Sequence, residues 1–96
     1  MPVSQCKCPL CKTEAHGSDI DFGNRARVYC PACSTYDITK SAFEELVVAA
    51  PDHRQAIAQR AKAAPAGKLL AITRDGSAYE DKEPKTDRAA PSWLTQ

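Results

Sequence analysis

The chain has 96 residues, five of them cysteine, and 13 basic against 12 acidic side chains for a net charge of +1. That length suits one small domain without a deep buried cleft. The charge balance excludes a global pull toward nucleic acid or anionic membrane, so any such contact must be local.

No apolar run reaches the roughly 18 to 20 residues a membrane helix needs, and the start Met1-Pro2-Val3-Ser4-Gln5 lacks the charged and apolar regions of a signal peptide. A cytoplasmic protein is expected. In a reducing compartment, closely spaced cysteines read as metal ligands or redox groups rather than disulfides, and the odd total argues against full pairing.

In chain order, the first feature is Cys8-Pro9-Leu10-Cys11, matched by Cys30-Pro31-Ala32-Cys33 after eighteen intervening residues. In each turn proline fixes φ and removes an amide donor, letting the chain fold tightly and aim later N–H groups at sulfur. Two such pairs facing one another make a tetrahedral four-sulfur site. Cys8, Cys11, Cys30 and Cys33 are therefore the predicted ligands of one ion, zinc before iron. Cys6 is the surplus thiol, expected to be partly exposed and a possible substitute ligand for Cys8. His16, in a polar stretch, and His53, at the start of a predicted helix, read as solvated side chains. The first forty residues bury too little apolar surface to offset their ordering entropy, so this region should depend on the ion.

Between the turns, Asp19 to Phe22 and Arg25 to Tyr29 alternate around Gly23-Asn24, which predicts a β-hairpin. Tyr36 to Thr39 adds a third short strand. Ser41 with Glu44 fits a capping box, and Phe43, Leu46, Val47 and Ala50 mark one face of a helix from Ser41 to Ala49. Pro51 interrupts it; Asp52 with Gln55 caps a second helix carrying Ile57, Ala61 and Ala64 and ending before Pro65. Lys68 to Ile72 reads as a buried strand, and Asp75-Gly76 turns it into a hairpin with Ser77 to Tyr79. From Glu80 the chain is charged and contains Pro84 and Pro91, so residues 80–96 read as a flexible tail behind a single domain of residues 1–79. Trp93-Leu94 can anchor in a partner's groove or fold back onto the domain.

These motifs resemble the small zinc-ribbon proteins of prokaryotes, in which a Cys-Pro-x-Cys turn, an Asp-x-Gly-x-Arg hairpin and a second Cys-Pro-x-Cys turn lead into a helix. Here they are Cys8 to Cys11, Asp21-Phe22-Gly23-Asn24-Arg25 and Cys30 to Cys33, followed by Tyr36 to Thr39, within about residues 6 to 50. The cysteine turns also resemble those of rubredoxin, where iron carries electrons; such turns carry glycine where this chain has Lys12 and Ser34. The resemblance implies a zinc ribbon of small antiparallel strands, and with the two short helices and C-terminal hairpin read above the expected fold is α+β. Zinc ribbons serve nucleic-acid binding, chaperones and defence, so membership would not fix a function.

A closed four-sulfur site supplies shape and leaves no open position for a substrate, which predicts a non-catalytic module recognising protein or nucleic acid. Arg25, Arg27 and Tyr29 share a strand face by their two-residue spacing and form the candidate interaction surface. Residues 52 to 74 carry five bases against the single acid Asp52, but at about 100° per residue Arg54, Arg60 and Lys62 point in different directions. The alternative is redox chemistry, either thiolates that release zinc on oxidation with Cys6 attacking, or an iron electron carrier. Two separated histidines and no nucleophile or phosphate-loop motif argue against a hydrolase.

Overall fold

A computed structural model describes residues 4–20, 23–81 and 89–95. Six strands and three helices follow in the order β1 (Ser4–Lys7), β2 (Glu14–Asp19), β3 (Arg25–Cys30), β4 (Ser34–Thr39), α1 (Lys40–Val47), α2 (Pro51–Lys62), β5 (Lys68–Thr73), β6 (Gly76–Asp81) and α3 (Ser92–Thr95). The strands form a single sheet in sequence order. Every neighbouring pair is antiparallel except β4 and β5, which run parallel because α1 and α2 carry the chain back between them.

This corrects the expectation of a small ribbon with appended helices and a separate hairpin: one six-stranded sheet runs through the molecule. Two causes account for it. Cys8 N–H donates to the Thr13 carbonyl at 2.9 Å, so the first cysteine turn reverses the chain as a hairpin turn and pairs β1 with β2, Lys7 opposite Glu14. Neither strand has the β-branched composition that reveals strands in a sequence. At the other side, the predicted C-terminal hairpin docks its Leu70 and Ile72 beside Tyr36 and Ile38, continuing the sheet.

The first strand of the predicted hairpin lies earlier than expected, over Glu14–Asp19. Asp21 and Phe22 are outside the described residues; the Asp19 carboxylate accepts from Gly23 N–H at 2.9 and 3.0 Å.

Registered neighbours place Ala26, Val28, Tyr36, Ile38, Leu70 and Ile72 on one face, where they pack against Ala42 and Leu46 of α1 and Ala58 and Ala61 of α2. Small alanines let α2 lie close to the sheet. The helix faces differ slightly from the expected stripes: Val47 and Ala50 are exposed while Ala42 is buried, and Ile57 and Ala64 are only half-buried while Ala58 is buried. Thr39, not Ser41, caps α1, its hydroxyl accepting from Ala42 N–H at 3.2 Å. Pro51 opens α2 as its first helical residue instead of separating two helices from outside, and Asp52 sits in its first turn without capping it.

Glu80 and Asp81 end β6, residues 82–88 are outside the described set, and residues 89–95 lie on the opposite edge of the sheet. There Ala89 bridges Ser18, Ala90 N–H donates to Ser4 Oγ at 3.0 Å, and Leu94 is buried. Trp93 folds back onto the domain: its indole N–H donates to the Gly23 carbonyl at 2.7 Å, and its ring lies 5.2 Å from that of Phe43. Among the described residues no helix is long and apolar enough to cross a membrane.

Candidate metal centre

The two cysteine turns lie at one end of the sheet because each joins an antiparallel pair, β1 to β2 and β3 to β4. Cys30 stands opposite Ser34 across the second turn. The residue after each turn takes the left-handed conformation, Lys12 at φ 65° and Ser34 at φ 73°. These are the glycine-type positions the sequence marks, and here residues with a Cβ occupy them at a steric cost. Lys12 N–H donates to the Cys8 carbonyl at 2.8 Å, closing the first turn.

Cys8, Cys11, Cys30 and Cys33 come together with all four sulfurs within 4.8 Å of one another. A zinc ion with bonds of about 2.3 Å to four sulfurs requires them roughly 3.8 Å apart in a tetrahedron. The Cys11 and Cys30 sulfurs are already 3.5 Å apart, so the donor set fits a four-sulfur ion in size and chemistry. Cys8, Cys33 and Cys30 are buried, and Cys11 is half-exposed. Pro9 and Leu10 of the first turn are buried, while Pro31 and Ala32 of the second are exposed.

Hydrogen-bond donors surround the sulfurs. Cys33 N–H donates to Cys30 Sγ at 3.3 Å. The nearby amides of Leu10 and Cys11 favour the thiolate form of Cys8, and the amide and hydroxyl of Thr13 that of Cys11. Tyr36, wholly buried on β4, places its hydroxyl 3.0 Å from Cys8 Sγ. Sequence reasoning missed Tyr36. Its only signal was the strand alternation after Cys33 that sets Tyr36 and Ile38 inward.

Without an ion, burial pushes the Cys8 thiol up to about 11, against the smaller pull of its donors. Burial, and then the neighbouring Cys11 sulfur, push Cys33 higher still. Cys11 loses some solvation as well, yet the Thr13 donors and the adjacent Cys33 and Cys30 sulfurs draw it down to about 6. Burial and the adjacent Cys8 sulfur hold Tyr36 well above the ordinary phenol range, so it keeps its proton. Protons on Cys8 and Cys33 must therefore leave when a cation enters.

The remaining candidates lie elsewhere. Cys6 is outside the four-sulfur group and, contrary to expectation, buried on β1 opposite Ala15, with burial raising its thiol. It is poorly placed to attack anything from solvent. His16 and His53 are exposed and outside the cluster. Arg25, Arg27 and Tyr29 do share a sheet face, but Arg27 is buried with Asp37, donating from Nε at 2.7 Å and Nη2 at 3.2 Å. Its guanidinium belongs to an internal ion pair; Arg25 and Tyr29 are half-buried.

No known protein family, curated protein or solved structure matches this chain.

Proposed function

We propose that this chain is a non-catalytic zinc-binding module whose ion ties two hairpin turns together and so fixes a sheet that recognises a protein partner. The observation that carries the reading is the closed group of four sulfurs within 4.8 Å, three of them buried. An ion holding four protein sulfurs has no free position for a substrate, which supports a structural role over catalysis. Zinc is favoured because four-cysteine sets are characteristic of its structural sites and it imposes no geometry of its own.

Several features support a protein partner over nucleic acid. The net charge is only +1, and Arg27 is held by Asp37. At the end of α1, Val47 and Val48 are 49% and 84% exposed, an apolar pair without a role in the core.

Elemental analysis of purified chains tests the site: Cys6→Ser retains one zinc per chain and Cys8→Ser loses it. The reverse pattern, or a coloured iron protein, overturns the assignment. Capture from native extract, with and without nuclease, tests the partner. Partners retained after nuclease support the reading, and partners lost with it shift the function to nucleic acid.

A further inference from the structure

We propose that Tyr36 is a positioning residue of the metal centre, donating its hydroxyl proton to the Cys8 thiolate and slowing loss of the ion. The inference deepens the zinc-module reading and rests on it.

The argument begins with placement. The strand leaving the second cysteine turn sets Tyr36 between Val28 and Leu70 on the helix-covered face, and this brings its hydroxyl 3.0 Å from a cysteine of the first turn. The contact therefore couples the two halves of the site independently of the ion. Both residues are 0% exposed, so solvent does not compete for either group. A metal-bound thiolate carries no proton, so the phenol is the donor and the sulfur the acceptor.

The ligands are unequal in this respect. Cys8 receives the Tyr36 hydroxyl in a wholly buried setting, whereas Cys11 is half-exposed. Each donor withdraws electron density from its sulfur and favours thiolate over thiol, and outer partners of this kind usually change metal affinity about 10- to 100-fold. A phenylalanine would fill the same apolar space. The hydroxyl is thus accounted for by the sulfur it meets, since a buried hydroxyl without a partner is costly.

The test compares the unchanged chain and Tyr36→Phe loaded with Co2+ and with Zn2+. In the variant the sulfur regains electron density, so the sulfur-to-cobalt charge-transfer band moves to lower energy, and zinc passes to a competing chelator about 10-fold faster or more. An unmoved band with an unchanged transfer rate overturns the proposal. Should Tyr36→Phe fail to fold, the unchanged chain loaded with 113Cd2+ decides by NMR. A tyrosine hydroxyl proton coupled to cadmium through sulfur upholds the proposal, and its absence where the Cys33 amide proton shows such coupling overturns it. A chain that takes up none of these ions sinks the zinc-module reading as well. Metal uptake that is indifferent to Tyr36 sinks this inference alone.

Discussion

Lys12 and Ser34 are structural equivalents: each follows the second cysteine of its turn, and they share the left-handed backbone at φ 65° and 73°. A residue with a Cβ loses about 1–2 kcal/mol there, while glycine accepts the conformation but has more freedom to lose on folding. Lys12→Gly and Ser34→Gly should therefore each stabilise the metal-loaded protein by about 0.5–1 kcal/mol. Denaturant titration at fixed zinc measures this, and a loss of stability in both variants would contradict the strain account.

Metal-loaded and metal-free protein should part above pH 9, since below it Cys11, drawn down to about 6 in the metal-free chain, lets stability rise with pH as a bound ion does. Without metal, burial raises Cys8 from its ordinary 9.0 to about 11, so that contribution is intact below pH 9 and disappears as pH rises through about 11. With metal, the ligands must be thiolates, so protons compete for sulfur and stability is lost as pH falls. Thermal unfolding across pH, with and without chelator, checks both arms. A metal-loaded protein that also lost stability between about pH 9 and 11 would exclude a thiolate-held ion.

The ion pair of Arg27 and Asp37 makes a separate prediction, because each side chain is about as buried as the core, at 6% and 5% exposed. Arg27→Met leaves the Asp37 carboxylate without its guanidinium and should cost about 3–5 kcal/mol. Adding Asp37→Leu removes the stranded charge and should recover a large part of that loss. Strict additivity of Arg27→Met and Asp37→Leu in a double-mutant cycle would show that the pair is not coupled.

Gly17 lies under Leu94, where a Cβ would come within 2.5 Å of Leu94 Cδ2. Gly17→Ala should push α3 outward and destabilise the fold by about 1–3 kcal/mol, with Trp93 emission moving to longer wavelength as its contacts with Gly23 and Phe43 loosen. Leu94→Ala in the same chain should relieve most of the clash, so the two losses should not add. Strict additivity would place the effect elsewhere.

The spacing of the cysteines was enough to select Cys8, Cys11, Cys30 and Cys33, because a tight turn brings its own two sulfurs together and that chemistry is local. The same is true of α1, α2 and the β5–β6 hairpin, whose apolar periods and turn residues are written in consecutive positions. The tertiary structure alone decided what depends on distant neighbours. Polar β1 and β2 become strands because a turn sets them side by side, and β5 joins β4 because helices return it there. Arg27 is withdrawn from the surface by an aspartate on the next strand, and Tyr36 reaches a sulfur twenty-eight residues away. Propensity and spacing act within a few residues, whereas pairing, burial and hydrogen bonding between strands act across the sheet, and no local pattern encodes them.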